Sequence, residues 1–238
     1  MTEAVIAAGG SSAPPPAVIS FVNNQGQVGG TATYPSPITA GNCLICGLCA
    51  EADTLGLDTL PEFSLIATVA AGSGIGPSVA TWAELAAEGD ETGSFTPPLS
   101  SPSATNAAVI TQWSNDAARP FTVAGTTGVD TDATGTTVDV TASSVGDFQA
   151  GDMAVFYIGG NDDATIPITS PVLTIPGCTL DTVSTIQQLA TTIGTDVSVS
   201  VFSARVLTGA QTGAARFTGT AAFAGFSRVA AAFLRLRA

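Results

Sequence analysis

Short apolar runs alternate with Gly, Pro, Ser and Thr breaks along almost the whole chain. Such runs, bounded by turn formers and rich in β-branched residues, are the pattern of strands. In the first half they are Ala17–Val22, Cys43–Cys49, Phe63–Val69, Val79–Ala87, Ser94–Thr96 and Ala107–Trp113. In the second half they are Val138–Val140, Met153–Ile158, Val172–Ile175, Val197–Val206, Arg216–Ala222 and Val229–Leu236. Val197–Val206 alternates with period two, as a half-buried strand does. Cys43–Cys49 is continuously apolar and predicts a strand covered on both faces. Thr182–Ile193 is the exception. Val183, Ile186, Leu189, Ala190 and Ile193 fall on one face of a helix, so a helix is expected there. The rest predicts an all-β chain of antiparallel sandwiches.

The pattern occurs twice. Ser78-Val79-Ala80-Thr81-Trp82 leads to Gly89, Thr92-Gly93 and Phe95, and Ser198-Val199-Ser200-Val201-Phe202 leads to Gly209, Thr212-Gly213 and Phe217. Ala40-Gly41-Asn42 matches Ala150-Gly151-Asp152, each before an apolar run. Leu60-Pro61-x-Phe63-x-Leu65 matches Ile175-Pro176-x-Cys178-x-Leu180, and Val109 and Trp113 match Val229 and Phe233. Offsets that drift upward along the chain are those of loops gaining residues between retained strands. A duplication predicts two similar units. The expected organisation is an N-terminal arm (1–16), a first β-sandwich (17–124), a linker (125–136) rich in Gly, Thr and Asp, and a second β-sandwich (137–238), each sandwich with its own core. In the arm, Pro14, Pro15 and Pro16 lack N–H donors, which excludes a helix or a central strand and suits an extended segment laid on a neighbour.

Charge narrows the partners. The 238 residues carry 19 acids against 6 Lys and Arg, a net charge of −13. An acidic body argues against binding nucleic acid through its backbone. Five of the six Arg (Arg205, Arg216, Arg228, Arg235 and Arg237) follow residue 204, where no acid occurs. That basic end is read either as a contact for an acidic partner, with Arg228, Arg235 and Arg237 as candidates, or as solvated charge on strand faces. Arg235 and Arg237 alternate with Leu234 and Leu236 and so share a face. No apolar run approaches the ~20 residues that cross a bilayer, and Met1-Thr2-Glu3-Ala4 lacks the positive start of a secretion signal. A reducing cytoplasm is the expected place of synthesis, with no membrane partner.

Cys43-x-x-Cys46-x-x-Cys49, with Cys178 distant, has the look of an iron–sulfur or zinc motif. On a strand, however, Cys43 and Cys46 point to opposite faces, and Cys43 and Cys49 stand ~20 Å apart. The second copy has Met153, Phe156 and Gly159 at these positions, so buried reduced thiols are expected and no metal. Without His or Lys, no Ser-His-Asp or Cys-His arrangement exists. Glu84, Glu88, Asp90 and Glu91 near Trp82 are the one carboxylate group that suits acid–base work on a sugar. The second copy replaces these acids with uncharged residues, which favours a solvated acidic loop. Asn161-Asp162-Asp163 is read as a turn rather than a calcium loop.

Ile38-Thr39-Ala40-Gly41-Asn42, Leu60-Pro61-Glu62-Phe63, Val79-Ala80-Thr81-Trp82, Gly89-Asp90-Glu91-Thr92-Gly93-Ser94-Phe95-Thr96 and Ala108-Val109-Ile110-Thr111-Gln112-Trp113 follow one another in an order that resembles a repeated β-sandwich module of tailed-bacteriophage virion proteins. Trp113-Ser114-Asn115-Asp116 departs from the aromatic-Gly-acid ending of that family. The resemblance implies tandem jelly-roll-like sandwiches, no cofactor and no enzymatic activity. It implies a capsid decoration or cement protein, a homotrimer bound to the major capsid protein on the virion surface. The alternative is a tail-tip or head-fibre module for host glycans, whose mark would be exposed aromatics beside Glu84–Glu91.

Overall fold

The structure, a computed structural model, describes residues 16–51, 62–71, 76–96, 106–131, 136–144, 146–161, 167–191, 197–221 and 228–238. Pro14, Pro15, Leu60, Pro61, Asp162 and Asp163 lie outside them. The first half contributes strands β1 (Ile19–Val28), β2 (Ala32–Thr33), β3 (Cys43–Glu51), β4 (Ser64–Ala70), β5 (Pro77–Glu84), β6 (Ser94–Phe95) and β7 (Asn106–Asn115). The second contributes β8 (Thr122–Asp130), β9 (Thr137–Thr141), β10 (Met153–Asn161), β11 (Thr169–Thr174), β12 (Cys178–Leu180), β13 (Ser184–Ala190), β14 (Val197–Gly209), β15 (Arg216–Thr220) and β16 (Arg228–Arg237). The fold is all-β and antiparallel, with no helix among the described residues.

The duplication is legible in the topology. A five-stranded sheet has the order β1-β7-β3-β5-β4, and the larger sheet has the order β8-β16-β10-β14-β13, with β12 also on the β14 edge. The small sheets β2-β6 and β9-β15 correspond in the same way, and β11 extends the second. Even the irregularities repeat. A bulge between Leu65 and Ala67 on β4 recurs between Thr185 and Gln187 on β13. The turns before β3 and β10 match as well. Gly41 and Gly151 both have positive φ, and Asn42 N–H to the Thr39 carbonyl (3.1 Å) has its equivalent in Asp152 to Gln149 (3.1 Å).

Four sequence expectations change. Thr182–Ile193 is not a helix, because β13 pairs along β14. The bulge at Ile186 inserts one residue into the alternation, so Val183, Ile186 and Leu189 recur at a spacing of three and imitate a helical stripe. Residues 125–130 are not a linker but part of β8, the counterpart of β1, paired with β16 from Thr122 to Asp130. The Gly content of β8 reflects close packing. A Cβ on Gly128 would stand 2.3 Å from the Thr141 carbonyl oxygen. The pairing of Val109 and Trp113 with Val229 and Phe233 is out of step. Ile110 lies opposite Cys46 and Phe233 opposite Phe156, so Ile110 corresponds to Phe233 and Trp113 to Leu236. An odd slip flips every side chain to the other face. Likewise Leu65 opposite Trp82 corresponds to Thr185 opposite Phe202, not to Leu180.

The fourth change concerns the core. Each copy buries a core of its own, as expected, but a third and larger core is shared between them. The largest cluster joins Cys43, Ile45, Val79, Val109 and Trp113 of the first sheet to Val155, Tyr157, Val199, Ala232 and Leu234 of the second. The two large sheets therefore stack face to face. Contacts are reciprocal: β1 lies on β13 and β4 on β8, while β5 meets β16 and β7 meets β14. Equivalent faces meeting reciprocally define an approximate twofold between the copies. On the outer face of the first sheet, Leu44, Cys46, Trp82 and Ile110 form a smaller core with Phe63. Phe156, Phe202, Phe217 and Phe233 form its counterpart in the second.

Near that twofold the packing is asymmetric. Gly47 faces Tyr157, its own counterpart, and Gly159 faces Cys49, its own counterpart. A Cβ on Gly47 would lie 2.0 Å from Tyr157 Cδ1, and one on Gly159 would lie 2.6 Å from Cys49 Sγ. Each pair sets a large side chain into a space that only glycine leaves. The Tyr157 hydroxyl donates to the Ile45 carbonyl (3.0 Å) and bonds to Thr111 Oγ1 (2.9 Å), which also accepts from Trp113 Nε1 (2.9 Å). Gly47→Ala is expected to destabilise the protein by roughly 1–3 kcal/mol, the usual range for overpacking. Urea denaturation reads this, and an unchanged midpoint would refute the tight contact.

Candidate functional site

Glu84 ends β5 on the outer face of the first sheet, beside Leu44 of β3. It is buried, and its Oε2 has no hydrogen-bond partner among the described residues. Glu91 reaches back from the following turn, and its Oε2 accepts the Gly89 N–H (2.8 Å) while Oε1 accepts that of Glu88. Gly89 takes a positive φ there. Burial first, then a hydrogen bond to Glu91, pushes the Glu84 carboxyl up to about 8. Glu91 is held below its ordinary value by the backbone N–H groups and by Glu84, which outweigh its own desolvation. Around neutral pH the pair therefore holds one proton on Glu84. Burial and the negative charge of Glu84 also raise the Tyr34 hydroxyl to about 12. Tyr34, Phe63 and Phe95 form an aromatic trio with centroids 5.3–6.3 Å apart.

The sequence therefore located the acids, but the structure separates their environments. Trp82 is fully buried, with no partner for its Nε1 among the described residues, whereas Glu88 and Asp90 are exposed. The arrangement can store a proton. Its exposed aromatic surface is limited to the partly exposed Tyr34 and Phe95. In the second copy Ala204 stands where Glu84 does.

Cys43, Cys46 and Cys49 are fully buried free thiols, and Cys178 is half-buried. Cys43 and Cys49 join the shared core and Cys46 the outer one, as strand alternation requires. Burial raises Cys46 and Cys49 to about 12, and Cys43 further. Such thiols are poor nucleophiles at neutral pH. Among the described residues, no three His, Cys, Asp or Glu side chains gather as metal ligands would.

The C-terminal arginines are held from within. Asp152, buried at the start of β10, accepts Arg237 Nε on Oδ1 (2.7 Å) and Nη2 on Oδ2 (2.7 Å). Arg237 also donates to the Asp147 carbonyl oxygen (2.7 Å), and Arg235 pairs with the Asp147 carboxylate. Arg216 Nε donates to Asp139 Oδ1 (2.7 Å), and Arg228 donates to the Ala71 carbonyl (3.3 Å). Pro16, the last arm proline, packs at the Gly151 turn. The acids of residues 139–152 thus answer the basic end in space. The run of unpaired sequence charge gave no hint of this, because strands β9, β10 and β16 meet only after folding.

A separate cleft of about 360 Å³ opens between the two large sheets at the Phe21 and Trp113 end. The chain matches no family model, no curated protein and no solved structure.

Two outcomes follow. Glu84 is raised in the folded state, so its contribution to stability is complete below about pH 4.5 and is lost as pH rises through about 8. Glu84→Gln is expected to flatten the fall in melting temperature between those values, and an equally steep fall in the variant would refute the shared proton. Arg237→Ala strands the buried Asp152 carboxylate. We expect a loss of about 3 kcal/mol, the low end for breaking a buried pair because Arg237 is partly exposed. Denaturant titration reads it, and a loss under ~1 kcal/mol would place the pair among surface bridges.

Proposed function

We propose that this chain is a structural protein of a bacteriophage virion. In this reading it has two tandem jelly-roll-like repeats and an N-terminal arm, and as a homotrimer it decorates the capsid exterior by binding the major capsid protein. It works by docking rather than by catalysis. The observation that carries this is β1, a ten-residue edge strand with no charged residue, in a molecule of net charge −13. Phe21, Val22 and Val28 on it, and Val18 just before it, are exposed. Native proteins protect such edges with charge or proline, because an uncovered apolar edge accepts another strand. Main-chain hydrogen bonds to an added strand give affinity, and the alternating side chains give specificity. In sequence the Gly/Pro-rich arm runs directly into this strand, so arm and edge form one continuous contact segment. Clamping neighbouring capsid subunits through such a segment buries area that opposes internal DNA pressure. The resemblance of the repeated motifs to virion modules supports the same conclusion.

The purified protein is expected to co-sediment with capsid shells that lack it and to raise their disruption temperature. Val22→Asp, which puts a charge on the β1 edge, is expected to weaken that binding at least tenfold without unfolding the monomer. Shells that neither bind the protein nor lose stability without it would overturn the proposal.

A further inference from the structure

We propose that the cleft at the Phe21 and Trp113 end of the shared interface is a binding site for a neutral saccharide. The inference is independent of the virion reading. The cleft holds about 360 Å³ between the two large sheets, at the lower end of the range for small-ligand pockets. Phe21 forms one wall. It is 38% exposed, and its ring stands edge-on to the buried Trp113 at 5.5 Å. Arg205 on β14 forms the other wall. It is half-buried, and its guanidinium has no hydrogen bond or ion pair among the described residues; its backbone is tied to Asp181, donating N–H to Oδ1 (2.6 Å) and accepting the Asp181 N–H on its carbonyl (3.0 Å). The hydroxyls of Ser184, Thr185 and Ser203 line the same space and likewise make no hydrogen bond within the described residues. The Arg205 guanidinium, half-buried and unused beside an aromatic ring, is a donor group awaiting a polar ligand, bordered by the buried Ser203 and the exposed Ser184 and Thr185.

The twofold gives a control inside the molecule. At its other end the corresponding residues are aliphatic or small. Val123 and Leu236 correspond to Phe21 and Trp113, and Leu65 and Ala83 correspond to Thr185 and Ser203. Arg205 lies opposite Met153, and the chain at the matching place after β5 is Leu85-Ala86. Inherited packing therefore does not require an aromatic pair, the hydroxyls of Thr185 and Ser203 and a guanidinium at this end, whereas Ser184 has its counterpart in Ser64. Apart from that serine, the polar and aromatic set is confined to one of two equivalent places.

The chemistry selects the ligand class. A pyranose presents a C–H face that stacks on the negative face of an aromatic ring, and a rim of hydroxyls that both donate and accept. The cleft offers that combination: one half-exposed ring, a guanidinium fork that donates, a carboxylate that accepts, and hydroxyls that do both. An organic anion is disfavoured, because the Asp181 carboxylate shares the cleft with Arg205 and the body carries a charge of −13.

The test uses the full chain and a panel of methyl glycosides of glucose, galactose, mannose and N-acetylglucosamine, titrated to millimolar concentrations. Amide shifts at Ser203 and Arg205 and the Trp113 fluorescence are the readouts. At least one glycoside is expected to give saturable shifts centred on these residues. Arg205→Leu and Phe21→Val, which install the residue types of the other end, are each expected to weaken binding at least tenfold while leaving the melting temperature within a few degrees. No saturable response to any neutral glycoside overturns the proposal. So does binding that both variants retain, or preferential binding of benzoate, which would make the cleft a site for an organic anion.

Discussion

The steric fit of Tyr157 over Gly47, with Cys49 over Gly159, is the constraint on which the rest depends. Two copies of one sheet meet through equivalent faces, and residues near a twofold meet their own counterparts. Two tyrosines there would collide, and two glycines would leave a void, which is costly in an interior packed to crystal density. Divergence of the copies resolves this by placing a large residue against a missing side chain. Tyr157 then brings a hydroxyl into the driest part of the molecule. Thr111 Oγ1 and the Ile45 carbonyl satisfy it, and Trp113 Nε1 donates to Thr111 in turn, so the network fixes the register of one sheet on the other.

From that interface the other features take their places. Because the inner faces are used up on each other, each sheet has an outer face to cover, and the small sheets do so. The first outer core admits a protonated Glu84 beneath an aromatic trio, whereas the second is filled by four phenylalanines. The ends of the shared interface also differ, with aliphatic side chains at one and aromatic and polar ones at the other. The edge strand β1 exposes Phe21, Val22 and Val28 and carries no charge, while its counterpart β8 exposes only Val129 among its large apolar residues and carries Asp130. Each functional proposal therefore rests on a place where the two copies have stopped being alike.

Sequence reasoning found the central strands because they are apolar on both faces or strictly alternating. β3, β5, β10, β14 and β16 all lie within a few residues of expectation. It missed β8 and β13, which are edge strands with one pairing partner and part of one face in solvent. Their residues are polar or glycine-rich, and the bulge at Ile186 broke the alternation that would have identified β13. At the candidate site, Glu84 and Glu91 were legible as a cluster, but their opposite displacements were not. Those arise from burial at Leu44 and from the backbone N–H groups of one turn. Arg205 was noted only as one charge in a basic tail, since nothing local ties it to Phe21.

The order of residues alone settled that the chain is built of antiparallel strands outside Thr182–Ile193, that its pattern occurs twice, and which side chains of the central strands are buried. Those properties follow from periodicity and turn chemistry, which act within a few residues. What each buried face packs against was decided only in three dimensions: the sharing of one core by both copies, the pairing of Arg237 with Asp152, and the cleft beside Phe21. Alternation says that a face is covered but not by what, because two sheets that stack have no local reference to each other until the chain between them has closed.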